Sequence, residues 1–268
     1  MMKKITFTIT ILALLAVPGF STAQLERGTA CPPDSVSVGP TCVDKFEASM
    51  WSIPATAPGG GSNALLVSKV KQGTARLLDL RTGGAVQVGC TTYPYYHAAF
   101  PTTFPKSGNW TVPLYATSIR GVFPTACVSW FQAEQACALS GKKLLTNQEW
   151  QRAAAGSPEY TLCNTESYVA SLTGAKSRCI SKWGVFDMVG NQNEWVADWV
   201  PRTPGTCPGW GSFSDDLMCF SGADPSSRPA ALIRGGSFIN EPSAGVFAIV
   251  GQTSPDIAIS SVGFRCGW

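Results

Sequence analysis

One histidine and ten cysteines bound the chemistry open to this chain. His97 lies in the aromatic run Tyr93-Pro-Tyr-Tyr-His-Ala-Ala-Phe100. A single imidazole cannot build a multi-histidine iron, copper or zinc centre. A packed or surface histidine is the simpler reading of such a run, and no Ser-His-Asp pattern accompanies it. There is no nucleotide-binding glycine pattern and no internal repeat. The thiols carry the stronger signal. Their even count permits complete pairing, and three close spacings suggest local bridges: Cys31 with Cys42, Cys163 with Cys179, Cys207 with Cys219. Cys90, Cys127, Cys137 and Cys266 remain for longer bridges, and their connectivity stays open.

Disulfides require an oxidising compartment, and the N-terminus points to one. Lys3 and Lys4 precede an apolar run of roughly a dozen residues, followed by the small-residue pattern Ser21-Thr22-Ala23. Residues 1–23 read as a secretory signal peptide cleaved near Ala23, too short and wrongly flanked for a membrane span. No cysteine at the cut offers a lipid anchor, and no later stretch is long and apolar enough to cross a bilayer. The expected location is secreted, periplasmic or cell-surface. Losing Lys3 and Lys4 leaves 18 basic against 17 acidic residues, a net charge of about +1. With 14% charged residues, the chain has no electrostatic footprint for nucleic acid. Residues 24–268, with 44% hydrophobic content over the whole chain, suffice for one large domain.

Two helices are expected to frame that domain. Ser129 can cap a helix running from Trp130 to Leu139, which Gly141 ends. Thr146-Asn-Gln-Glu149 has the form of a capping box and starts a second, stopped near Gly156. Residues 52–121 are rich in Pro, Gly, Thr and Ser and read as strands and loops, a loop-rich insertion with Pro58-Gly-Gly-Gly-Ser62 as its tip. Trp183, Trp195, Trp199 and Trp210 read as core area in a loop-rich fold.

The tail, residues 234–266, has another character. It opens on Arg234-Gly-Gly-Ser237 and closes on Gly263-Phe-Arg-Cys266. Between the two arginines only Glu241 and Asp256 are charged, and no helical or strict strand period holds. Ends so marked around an aperiodic middle suggest a displayed surface. An ordinary pair of strands with loops is the plainer alternative.

Several blocks resemble the formylglycine-generating enzyme, or sulfatase-modifying factor, family. Phe123–Ala154 (FPTACVSWFQAEQACALSGKKLLTNQEWQRAA) resembles its helix region, and Trp183–Val200 (WGVFDMVGNQNEWVADWV) its Gly-Asn-x-x-Glu-Trp segment. IRGGSF and VGFRC resemble its C-terminal blocks, and Cys42-Val-Asp-Lys-Phe-Glu47 its first strand. The resemblance implies an α+β, C-type-lectin-like fold with two main helices, short strands and many loops. It also implies a bridge from Cys137, at the end of the first helix, to Cys266. The family's enzymes oxidise a sulfatase cysteine to formylglycine with two copper-binding cysteines just after Arg-Gly-Gly-Ser. Here Asn240 and Gly245 fall about where those thiols belong, and neither can serve as a thiolate ligand or redox donor. The family's iron-dependent sulfoxide synthases need several histidines, which the lone His97 excludes. Copper is therefore implied only if an oxidase survives with a relocated pair, for which Cys207 and Cys219 are the nearest candidates.

The tail is also similar to variable proteins of diversity-generating retroelements, which keep Arg-Gly-Gly-Ser, Gly-Val-Phe-Ala and Gly-Phe-Arg-Cys as scaffold. That likeness implies a ligand face made of Ile239, Asn240, Glu241, Ser243, Val250, Gln252, Thr253, Asp256, Ile257, Ile259 and Ser261. The family likeness further implies a structural calcium held by the side chains of Asp187 and Glu194 and the carbonyls of Gly190 and Gln192. The combined expectation is an exported, non-catalytic binder of a protein or glycan, including one on another cell surface. Arg234 and Arg265 would hold the scaffold. A formylglycine-generating oxidase is the first alternative and an inert envelope or assembly protein the second.

Overall fold

The computed structural model describes residues 30–268, so the expected signal peptide at 1–23 lies outside the described residues. The chain opens with a hairpin, β1 (Ser35–Val38) and β2 (Thr41–Asp44), followed by β3 (Ala48–Ser52). Next come α1 (Ala64–Lys71), α2 (Leu77–Thr82), β4 (Val86–Val88) and β5 (Tyr115–Ser118). The middle holds α3 (Trp130–Leu139), β6 (Lys143–Leu144) and α4 (Asn147–Ala154). The last third is β7 (Asn193–Val200), β8 (Met218–Cys219), β9 (Ala230–Arg234), β10 (Ile249–Val250), β11 (Val262–Phe264) and β12 (Cys266–Gly267).

α3 and α4 form where their caps place them. Ser129 Oγ accepts from Gln132 N, while Gln132 Oε1 accepts from Ser129 N. Thr146 and Glu149 make the same reciprocal pair at the start of α4. Both capping boxes satisfy amide donors that a helix start leaves without partners.

The described residues hold four α-helices, not two. The additional pair, α1 and α2, lies in the segment that reads as strands and loops. Their start signals are weak: Asn63 makes no side-chain cap at α1, and at α2 only the Asp79 carboxylate reaches back, accepting from Arg76 N at 2.8 Å. They form because Leu66 and Val70, one turn apart, bury against Leu80, Trp51 and Tyr115. Tertiary packing, not local propensity, stabilises helices this short. The insertion also supplies β4 and β5, which flank β3 in an antiparallel sheet ordered β4-β3-β5. It is thus built into the core rather than added to it.

The other sheets tie the chain's end to its beginning. One runs β1-β2-β12-β6, so the last strand lies between the first hairpin and the strand after α3. The other runs β11-β7-β9-β10-β8 and carries the tail. The main core sits between α3 and the sheets, with Met50, Phe104, Trp195, Phe264 and Ile233 packed together. A second cluster gathers around Trp150 under α4. The architecture is of the expected α+β class, with short strands in three small sheets and many loops.

All ten cysteines are paired. The three local bridges form as their spacing suggests, and Cys137–Cys266 joins α3 to β12. The fifth, Cys90–Cys127, anchors the insertion to the loop before α3. Trp195 is buried, but Trp199 is not the core residue expected: it stands 44% exposed. Between these two tryptophans β7 slips in register against β9, but they lie opposite Ile233 and Ala231, two residues apart on β9, and so share one face of the sheet.

Candidate functional site

The tail is held at both ends by buried arginines. Arg234 is 3% exposed and stacks over the Trp150 ring, 4.6 Å from its centroid. Its Nε donates to Ala248 O at 2.9 Å and Nη2 to Val246 O at 2.9 Å. Further donations reach Asn147 Oδ1 and Gln151 Oε1 on α4. Burial lowers its pKa to about 10, so it stays charged at neutral pH. Arg265 pairs with Glu194 at 2.7 Å and donates to Asp44 O and Phe186 O. Burial opposes its charge, but Glu194 outweighs that and leaves the guanidinium more basic than usual. Both side chains serve the scaffold.

None of the eleven residues expected on the face between them is buried. Ile239, Ile257 and Ile259 are the most open aliphatics among them, 48%, 39% and 36% exposed. The face divides into two stretches. Ile239–Ser243 lies against the 165–168 loop, where Glu241 N donates to Thr165 O and Tyr168 N to Phe238 O. Val250–Ser261 passes the start of α3, where Trp130 N donates to Pro255 O and Cys127 N to Ile259 O. Val250 also rests against the main core, Gln252 donates to Pro204 O, Asn240 accepts from Ser237 and Glu241 from Tyr168, so these four are tied down.

Tyr95 lies between the stretches. It is 5% exposed, packs in one cluster with Phe238 and Cys127, and donates to Ser260 O at 2.6 Å. Sequence reasoning missed it, together with its exposed neighbours Tyr93 and Tyr96 and with Tyr168. The aromatic run was visible; that the Cys90–Cys127 bridge carries it beneath the tail was not.

The position expected for one family thiol is closed. Gly245 lies so near Asp216 that a Cβ there would overlap its carboxylate. Asp216 instead accepts from Phe247 N at 2.6 Å, and Glu159 accepts from Val246 N. Asp215 completes an acidic group whose ligand atoms lie within 4.8 Å of one another. At the other position, Asn240 Oδ1 accepts from Ser237 N and Oγ. Every cysteine is in a disulfide, Cys207–Cys219 included. The residues present do not fit a thiolate copper centre.

The Asp187–Glu194 loop has a different chemistry. Asp187, Gly190 and Asn191 all take positive φ, which turns the backbone inward. At Gly190 a side chain would strike the Asn164 carbonyl. Gly174 N donates to Asp187 Oδ2 at 2.7 Å, and Trp150 Nε1 to Glu194 Oε2 at 2.8 Å. Glu47 enters from beyond β2 and accepts from Gln192 N at 2.9 Å and from Asn191 Nδ2. Three buried carboxylates thus surround one guanidinium, that of Arg265. Burial pushes Asp187 up to about 6, and burial with repulsion from Asp187 and Glu194 pushes Glu47 well above the usual carboxylate range. Gln192 Oε1 is buried without a partner. Oxygen donors of this kind suit a hard cation, but Glu194 already gives its oxygens to Arg265 and the Trp150 indole, and the three carboxylates do not bring their oxygens within 4.8 Å of one another. Glu47 was part of the first-strand likeness, yet nothing in that stretch marks it as reaching a loop some 140 residues away.

Residues 106–268 match the sulfatase-modifying factor enzyme 1-like domain, and the chain belongs to that family. Formylglycine-generating enzyme of Mus musculus is 25% identical over 201 residues, covering 63% of this chain and 51% of that protein. Serine/threonine-protein kinase pkn1 of Chlamydia pneumoniae is 29% identical over 128 residues, 36% of this chain and 20% of that protein. The chain therefore spans about half or less of these relatives. Among solved structures, the Major Tropism Determinant M1 variant superposes with a TM-score of 0.48 at 17% identity, over 90% of this chain and 54% of that one. PvdO from Pseudomonas aeruginosa gives 0.38 at 15% identity, over 89% and 99%. Five disulfides fit an extracytoplasmic protein, and no helix among the described residues is long and apolar enough to cross a membrane.

Proposed function

We propose that the chain is an exported, non-catalytic binding protein that displays residues 239–261 as a ligand face for a protein or glycan. The observation that carries this reading is the tail's construction. Two buried arginines and the Cys137–Cys266 bridge pin its ends, while none of the eleven side chains between is buried. A face so anchored can change side chains without disturbing the core. The overlap at Gly245 with Asp216, and the absence of a free thiol, argue against family oxidase chemistry. Diversification of this face would leave a near-copy of the coding 3′ end close by, with a reverse transcriptase gene.

Ile257→Ser combined with Ile259→Ser tests the reading. These side chains are partly open, so the pair should cost roughly 1–2 kcal/mol of stability. Two fully buried isoleucines would cost several kcal/mol more. The variant should also lose binding to partners captured by the wild type from candidate host surfaces. Copper-dependent oxidation of a sulfatase-type cysteine peptide above a metal-only control would overturn the proposal.

The same reading includes a structural calcium on the side chains of Asp187 and Glu194 and the Gly190 and Gln192 carbonyls. A chelator should lower the melting temperature and added calcium restore it, because a ion bound only by the native state stabilises it. Asp187→Asn should remove the response. An identical melting curve with and without chelator, in protein shown to be metal-free, would exclude the site.

A further inference from the structure

A cleft of about 230 Å³ opens where the tail passes the start of α3 and the end of β7. Phe131, Trp199, Pro229 and Pro255 line it, with Arg228 and Asp256 at its rim. Its floor is aromatic. Trp199 is held edge-on by Trp130 at 5.1 Å and Phe131 at 5.6 Å between centroids, yet remains 44% exposed. Trp130 and Trp195 donate their indole N–H groups to the Val196 and Val128 carbonyls. Trp199 donates to no protein acceptor among the described residues. A large ring fixed by two others, 44% exposed and lining a cleft, is set for stacking.

The rim narrows the choice of ligand. Arg228 Nη1 and Asp256 Oδ2 meet at 3.1 Å in one exposed contact, their side chains 69% and 45% accessible. One oxygen of Asp256 and most donors of Arg228 are left for another partner. A cation drawn to Asp256 over the Trp199 face would meet the Arg228 guanidinium, and an anion drawn to Arg228 would meet Asp256. The pair therefore favours a neutral molecule whose groups both donate and accept. Hydroxyls do both, and a sugar ring adds an apolar C–H face to lie on the indole. The cleft is also smaller than the roughly 300–1,000 Å³ of sites for larger ligands, which suits a single ring.

We propose that this cleft binds one pyranose residue of a glycan, stacked on Trp199 with its hydroxyls on Arg228 and Asp256. The inference rests on the binding reading above and assigns a ligand class to one part of that face.

The test uses the full chain with labelled tryptophan indoles, the Trp199 signal being identified by its loss in Trp199→Phe. Probes are the methyl glycosides of glucose, galactose, mannose and N-acetylglucosamine, with tetramethylammonium and acetate as charged controls. At least one glycoside should move the Trp199 signal saturably, with Kd on the order of 1 mM. By intrinsic fluorescence or calorimetry, Trp199→Ala should weaken binding at least about tenfold and Trp199→Phe less, because a ring face remains. Asp256→Asn and Arg228→Gln, both at exposed positions, should weaken it several-fold without changing the melting temperature. A response to tetramethylammonium or acetate alone would overturn the proposal, as would silence toward every glycoside. Glycoside binding that survives Trp199→Ala would do so too. If the glycosides fail while Ile257→Ser/Ile259→Ser still abolishes capture of a protein partner, the face stands and only this cleft is misassigned.

Discussion

Arg265 is buried to 1% exposure and draws together Glu194 on β7, the Asp44 carbonyl of β2 and the Phe186 carbonyl. Removing one partner of such a pair leaves the other charged and dry, which typically costs about 3–5 kcal/mol. The arginine of Gly-Phe-Arg-Cys thus has a structural role that involves no ligand. His97 shows the opposite tactic, burial of a titratable group without a partner. Its Nδ1 is buried and unpaired, and burial lowers its pKa to about 4. A depressed imidazole binds fewer protons in the native state than in the unfolded chain. Its contribution to stability is therefore present above the unfolded value of about 6.5 and is lost as pH falls toward 4. As the sole histidine, it can be followed without ambiguity by NMR. The imidazole signals should stay those of the neutral ring down to about pH 4, and a midpoint near 6.5 would show that the site is open to water.

At the scale of elements, α4 shows how a local signal does more than start a helix. Glu149 closes the capping box with Thr146 and also accepts from Lys143 Nζ and Thr41 Oγ1. Burial alone would raise its pKa, but these hydrogen bonds outweigh it and hold the group at about 2. The sign follows from that depression: the stabilisation is present above about 4.5 and is lost as pH falls toward 2. Glu149→Gln should cost about 1 kcal/mol at pH 7, the usual worth of a cap. In urea titrations its deficit against wild type should shrink as pH drops from 4.5 toward 2. A deficit constant across that range would mean the charge contributes nothing. The helices α1 and α2 offer only the Asp79 contact with Arg76 N, and their apolar residues bury against Trp51 of β3 and Tyr115 of β5, partners distant along the chain.

For the molecule as a whole, the bridge between Cys137 and Cys266 has the widest reach. It spans 129 residues and fixes β12 to α3, while β12 also pairs with β2 and β6. Loop closure of this length contributes roughly 3–5 kcal/mol by restricting the unfolded chain. Replacing both cysteines with alanine should lower stability by that amount in denaturant unfolding. It should also expose the tail to proteolysis ahead of the core, since its C-terminal anchor then rests on Arg265 and short strands. A loss below about 1 kcal/mol would show that Arg265 and the sheet suffice. Peptide mapping of unreduced protein should recover the Cys137–Cys266 pair.

The lone histidine, the three short-range cysteine pairs, both capping boxes and the five family blocks were legible in the sequence. Each depends on residue identity or on neighbours close along the chain, where few conformations compete. The lack of thiols at Asn240 and Gly245 was equally plain, but only the packing reveals that Asp216 fills the space a side chain at 245 would need. The tertiary structure likewise brings Glu47 to the Asp187–Glu194 loop and Tyr95 beneath the tail through contacts separated by more than a hundred residues. It also leaves Trp199 at the margin of the sheet face on which Trp195 is covered: the first lies opposite Ala231 and 44% exposed, the second opposite Ile233 and buried. Burial and long-range pairing are set by how the elements stack. A tryptophan four residues from another carries no mark of which of them the sheet will leave in water.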